Sequence, residues 1–192
     1  TNSDTKADKD FFQKTIIELN RRNSLFIDNT ASETIPLTYN SYLKNGIGVI
    51  TCNKISNSGT LDKYQELRKL SRRNNAAFLY ETNVGAALPV ISTLKNLINS
   101  GDKILKIEAV LSGTLNYIFN NFQEEDTFHD IVSHAVKLGY TEPDPKSDLC
   151  GVDVSRKILI LARESGFNLE YDEVEKNHFC LLYTSPSPRD WM

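Results

Sequence analysis

The sequence predicts an α/β fold built on a parallel sheet. Two observations carry this. Strand-like and helix-like segments alternate along the chain, and the strand-like ones are short, apolar and bounded by Gly or Asn. Strand, helix, strand, helix, strand is the pattern of a parallel sheet with crossover helices.

The elements follow in order. LFIDN (Leu25–Asn29) reads as a buried strand, and ASETIPLTYNSYLKNG as a helix ending at Gly46. IGVITCN is a second strand, rich in β-branched residues. In SGTLDKYQELRKLSRRNN, Leu61, Tyr64, Leu67 and Leu70 recur on one helical face. AAFLYE is a third strand. ALPVISTLKNLINSG is a helix stopped by Gly101, with Leu88, Ile91, Leu94 and Ile98 on one side. KILKIEAVL is expected to be a fourth strand. Two helices follow, TLNYIFNNF and FHDIVSHAVKLG, with Ser112 or Thr114 as a cap for the first.

With 192 residues the chain can bury a substantial core. Its 40% hydrophobic and 24% charged residues suit a soluble globular protein. A net charge of -3 without a basic stripe argues against a nucleic-acid partner. No apolar run is long enough to span a bilayer, and no signal-peptide pattern is present. Cys52, Cys150 and Cys180 are scattered, which fits a reducing cytoplasm better than a disulfide framework or a zinc site. His129 and His134 are five apart and share no helical face well.

Ligands of open parallel sheets bind beyond the carboxyl ends of the strands. The loops to inspect are therefore residues 29–32, 51–54, 81–85 and 111–114. A dinucleotide-binding fold opens with a strand and a Gly-rich turn, but the first glycine here is Gly46. Either the fold is a different one or its first units are absent. The tail CLLYTSPSPRD resembles a translated sequencing-library adapter, so residues 180–192 are left out of the fold reading.

The densest chemistry lies in GYTEPDPKSDLCGVDVSRK, Gly139 to Lys157. Pro143 and Pro145 push Glu142 and Asp144 away from helical geometry. Ser147 or Asp148 is placed to cap a helix running to about Glu164. On that helix Asp153 and Lys157 are four apart and share a face. Periodicity leaves two readings. One is a solvated face, with Arg156, Arg163 and Glu164 on the same broad side. The other is a site whose acids hold an ammonium-bearing substrate while Lys157 acts as acid or base.

AVKLGYTEPDPKSDLCGVDVSRK resembles, in order and without gaps, the signature of homoserine dehydrogenases. ETNVGAALPV, AVLSGTLNYIF, NTASE and TCNK resemble other segments of that family, over roughly residues 25–175. The style is most like the dehydrogenase half of fused aspartokinase–homoserine dehydrogenases. The resemblance implies a partial Rossmann-like nucleotide-binding domain (residues 1–80, Gly-rich loop missing) and an α/β catalytic and dimerisation domain (81–179). It implies NADP- or NAD-dependent interconversion of L-homoserine and L-aspartate 4-semialdehyde, in threonine and methionine biosynthesis, by a homodimer or larger homo-oligomer. Lys157 aligns with the family's proton donor. Glu142, Asp148 and Asp153 align with substrate-binding acids, and Thr30, Lys54 and Gly139 with cofactor-side positions. Glu81, Val84, Ala86 and Leu88 align with a sodium site made largely of main-chain carbonyls. The fragment alone is expected to be inactive. The alternatives are an inert module keeping only an association surface, or another NAD(P)-dependent enzyme acting on an amino-acid aldehyde.

Overall fold

A computed structural model of the chain describes residues 8–19, 21–123, 127–141 and 145–176. Three parallel strands form one sheet in the order β1 (Leu25–Asp28), β2 (Gly48–Thr51), β3 (Phe78–Leu79). Leu25 pairs with Gly48, and Val49 with Phe78. Gly48 is needed for that packing: a Cβ there would meet Leu25 Cδ2 at 2.6 Å and the Ala77 carbonyl at 3.3 Å.

The connections are helical, as a parallel sheet requires. A helix, α1 (Lys9–Leu19), precedes the sheet. Between β1 and β2 the chain makes one 3-10 turn (Ile35–Thr38) and α2 (Tyr39–Lys44). Pro36 sits in that first turn, where its missing N–H is harmless. Between β2 and β3 run α3 (Ile55–Ser58) and α4 (Leu61–Arg73), whose Tyr64 and Leu67 are buried. After β3 come a 3-10 turn (Glu81–Asn83) and α5 (Val90–Asn99). The helix predicted from Ala87 starts only at Val90, because Gly85 and Ala86 take positive φ and Pro89 stands at the cap. Leu88 is therefore in a turn and exposed.

The KILKIEAVL segment is the main departure. It pairs with no strand among the described residues. Leu105 and Val110 stand exposed, whereas Ile107 and Leu111 lie against the core. Its apolar pattern is strand-like, but a strand exists only with a partner to take its backbone hydrogen bonds.

Helix α6 (Gly113–Asn121) is capped as expected, Ser112 Oγ accepting the Leu115 N–H at 3.1 Å. Helix α7 (Phe128–Lys137) packs on α6 through Ile118, Ile131 and Ala135. The single helix predicted from about residue 148 is two. A short α8 (Pro145–Leu149) stops, Gly151 turns left-handed at φ 65°, and α9 (Val152–Glu164) begins with that glycine as its cap. The cap position of α9 is thus Gly151 and not Asp148, while the Ser147 side chain lies outside what is described.

Helix α9 returns to the main core. Its Ile160 and Leu161 are buried with Tyr39, Tyr42, Leu43, Val49 and Phe78. Burial of such a side chain contributes about 1.5–3 kcal/mol, more than a surface ion pair at about 0–1 kcal/mol. Packing therefore contributes more of the free energy that holds α9 to the sheet unit than an exposed ion pair would.

Candidate functional site

The first turns of α9 present Asp153 and Lys157 on one face. Lys157 Nζ donates to Asp153 Oδ2 at 2.7 Å and to the Leu111 carbonyl at 2.7 Å. The other carboxylate oxygen, Asp153 Oδ1, lies 3.2 Å from Lys54 Nζ. One acid thus bridges two lysines. Lys157 is mostly buried and Asp153 half-exposed. Burial pushes the Asp153 carboxyl up, but the Lys157 hydrogen bond and the Lys54 charge more than offset it and hold it below the usual carboxylate range.

Lys54 reaches this point because the two strand-exit loops are tied together. Asp28, at the end of β1, is buried and accepts hydrogen bonds from the Tyr39 hydroxyl and from the Thr30 N–H at 2.8 Å. Tyr39 is also 2.9 Å from Thr51 Oγ1 at the end of β2. Asn53 donates to the Ser32 carbonyl at 2.8 Å and accepts from the Ile55 N–H at 3.1 Å, next to Lys54. Burial, then the Asp28 hydrogen bond, pushes the Tyr39 phenol far above its ordinary range, so it stays a neutral donor. Sequence reading overlooked Asp28, Tyr39 and Asn53. The available signal was an acid closing an otherwise apolar strand, which needs partners if it is buried.

The remaining candidates lie around this centre or apart from it. Asp148, on α8, accepts from Thr114 Oγ1 at 3.1 Å, and Thr114 also donates to the Tyr140 carbonyl at 2.6 Å. Gly139 adopts φ 73° with nothing within 4 Å of where a Cβ would stand, so its backbone face is open. Glu142 lies outside the described residues. Both oxygens of Glu81 are occupied, accepting the Ile91 and Ser92 N–H groups at 2.9 Å each, so this side chain caps α5. Any cation near Val84, Ala86 and Leu88 would rest on main-chain carbonyls, and the turn with positive φ at Gly85 and Ala86 is the kind of backbone that offers them. Among the described residues no cluster of three or more His, Cys, Asp or Glu could hold a metal.

The charged side of α9 is not solvated as a whole. Arg163 and Glu164 are both buried. Arg163 donates to the Asn57 carbonyl at 2.9 Å and to the Leu169 carbonyl. Glu164 takes Arg68, Tyr64 at 2.9 Å and Tyr80 at 2.7 Å, with Lys95 at 3.7 Å. A cavity of about 630 Å³, lined by Ile55, Thr60, Val152, Arg156 and Tyr171 among others, borders the neighbours of Lys54 and Asp153 in sequence.

A parallel three-stranded sheet with tied strand-exit loops, met by a helix that bears an amine–carboxylate pair, defines an α/β protein of the nucleotide-binding kind. The chain belongs to the homoserine dehydrogenase family. The family profile "Homoserine dehydrogenase, NAD binding domain" matches residues 4–81, and "Homoserine dehydrogenase" matches residues 89–183. The maize bifunctional aspartokinase/homoserine dehydrogenase 1, chloroplastic, is 54% identical over 152 residues, which is 79% of this chain and 16% of that protein. Homoserine dehydrogenase of Schizosaccharomyces pombe is 47% identical over 77% of this chain and 40% of its own length. Among solved structures, a Candida auris protein of unknown function superposes with TM-score 0.86 at 32% identity, over 100% of this chain and 54% of that one. A hyperthermophilic archaeal homoserine dehydrogenase in complex with NADPH superposes with TM-score 0.70 at 29% identity, over 90% and 53%. The chain therefore spans about a sixth of the bifunctional relatives and two fifths of the fission-yeast one.

Proposed function

We propose that this chain carries the substrate side of a homoserine dehydrogenase, interconverting L-homoserine and L-aspartate 4-semialdehyde with NAD(P). The observation that carries the reading is the Lys54–Asp153–Lys157 cluster at the carboxyl end of the sheet. Residues 1–80 would be the later part of the nucleotide-binding domain, 81–179 the catalytic and dimerisation domain, and 180–192 a non-native tail.

The residues fit a nicotinamide cofactor in kind. Thr30, the Lys54 ammonium and the open backbone of Gly139 are the groups that would hold its nicotinamide side. When bound, the cofactor supplies or accepts the hydride. The phosphate-binding glycines would come from a segment outside this chain.

The chemistry of the chain's own residues follows. Reducing an aldehyde leaves negative charge on its oxygen, which needs a proton and a nearby cation. Lys157 has three N–H donors, and Asp153 and the Leu111 carbonyl account for two. The third is the proton given to, or in reverse taken from, the substrate oxygen. Lys54 adds positive charge beside it. Asp153 orients both lysines and, with Asp148 and Glu142, holds the substrate's ammonium end. Sodium on the carbonyls of Glu81, Val84, Ala86 and Leu88 would stiffen the entry to α5.

Association into a homodimer is part of this reading. It is supported by the exposed apolar side chains Leu105 and Val110, on a segment that pairs with no strand among the described residues. Cysteine usage suits a reducing compartment, the cytoplasm in the simplest case, and several plant relatives carry "chloroplastic" in their names. Among the described residues no helix is long and apolar enough to cross a membrane. The test is spectrophotometric. The protein supplied with a complete nucleotide-binding half should reduce NAD(P)+ only when homoserine is added. Reduction with other amino alcohols but not homoserine would favour the alternative, a different amino-acid aldehyde enzyme.

A further inference from the structure

Glu164 stands outside the proposed chemistry, yet it is the most heavily engaged acid among the described residues. Its side chain is fully buried at the end of α9. It meets Arg68 and Tyr64 from α4, Tyr80 from the end of β3, and Lys95 from α5. The Arg68 guanidinium also donates to both tyrosine hydroxyls at 2.6 Å, and Lys95 lies over the Tyr80 ring at 4.1 Å. Burial pushes the Glu164 carboxyl up, but Arg68 overrides it and holds the group below the usual carboxylate range. Burial keeps Lys95 below the ordinary lysine range, and at 3.7 Å it is the more distant of the two cations.

The position of Glu164 on the helix matters as much as its contacts. It follows Lys157 by seven residues and Asp153 by eleven. At 100° per residue these three fall within about 20° of one line, and Glu164 is about 10 Å along the axis from Lys157. Ile160 and Leu161, between them, are buried in the core. The stripe that carries the proposed chemistry is thus the one that packs on the sheet unit. It is pinned by charge at both ends: by Lys54 near its start and by Arg68 with Lys95 at its end. Arg68 belongs to the segment matched by the NAD-binding profile, and Glu164 and Lys95 to the segment matched by the other. A buried ion pair adds little net stability over an apolar pair, but it fixes geometry, since a misplaced partner is strongly penalised.

We infer that Glu164 is a positioning residue: through Arg68 it sets the register of α9 on the nucleotide-binding half, with Lys95 tying α5 to the same carboxylate, and so it sets the approach of Asp153 and Lys157 to Lys54. The positioning part rests on the dehydrogenase reading above; the pinning of the helix does not.

The experiment uses the protein with a complete nucleotide-binding half, as wild type, Glu164→Gln, Lys54→Met and the double variant. Hydrogen exchange is read first, without substrate. In Glu164→Gln the peptides covering α9 and α5 should exchange about tenfold faster, while α7 is unchanged. Unaltered α9 exchange, or an equal rise along the whole chain, overturns the inference. Homoserine oxidation is read second. Glu164→Gln should lower kcat about ten- to hundred-fold, and should cost little further in the Lys54→Met background. Effects that multiply fully would reduce Glu164 to a structural role. Should Glu164→Gln fail to fold, Arg68→Gln leaves Glu164 its Lys95 partner and should give the same pattern in weaker form. Absence of homoserine oxidation in the wild type would count against the dehydrogenase reading alone, because the exchange result still decides the pinning.

Discussion

Asp153 Oδ1 lies 3.2 Å from Lys54 Nζ, joining the first turn of α9 to the exit loop of β2. The two residues come from segments matched by different profiles of one family. Their meeting turns a helix-borne ion pair into a cluster drawn from both matched segments.

Asp153→Asn removes the charge that both lysines face. Asp153 itself is half-exposed, so its neutralisation should change stability by about 1 kcal/mol. Both ammonium groups lose their fixed position, so kcat/KM for homoserine should fall about a hundredfold. Steady-state kinetics alongside a thermal melt separates the two effects.

Acid should unfold the protein partly through Glu164. Its folded pKa is depressed. Such a group contributes stability that is present above its unfolded pKa of about 4.3 and is lost as pH falls through the lower folded value. Urea midpoints measured from pH 6 down to pH 3 should therefore decline, and decline less steeply in Glu164→Gln. Parallel declines in the two proteins would contradict this.

Tyr39→Phe leaves the buried Asp28 short of a donor. The cost should be about 1–3 kcal/mol, by urea unfolding. The exit loops lose one tie, so homoserine turnover should drop too, though less than for Asp153→Asn.

Gly151→Ala tests the break between α8 and α9. Nothing lies within 4 Å of the new methyl group, so crowding is not the cause of any change. The left-handed φ of 65° should alone cost about 1–2 kcal/mol.

The parallel sheet was readable because its strands are short apolar runs with clear stops. The cap at Ser112 and the buried face of α4 were readable for equally local reasons. Three features were not local. Whether residues 103–111 form a strand depends on a partner, which periodicity cannot supply. The break at Gly151 depends on one backbone angle, and the run DLCGVDV hides it. Arg163 and Glu164 looked solvent-facing on a helical wheel because their partners, Asn57, Arg68, Tyr80 and Lys95, come from elsewhere in the chain. At the site, the Asp153–Lys157 pair follows from helix spacing. The arrival of Lys54, fixed by Asp28 and Asn53, required the fold.

We propose that Lys157 gives or takes the proton at the substrate oxygen. The most direct test is homoserine-dependent NAD(P)+ reduction by Lys157→Ala in the protein with a complete nucleotide-binding half. The expected result is a loss of about 10²–10⁴ in kcat with the far-ultraviolet spectrum and thermal midpoint retained. Turnover equal to wild type in a folded Lys157→Ala protein would contradict that role for the lysine.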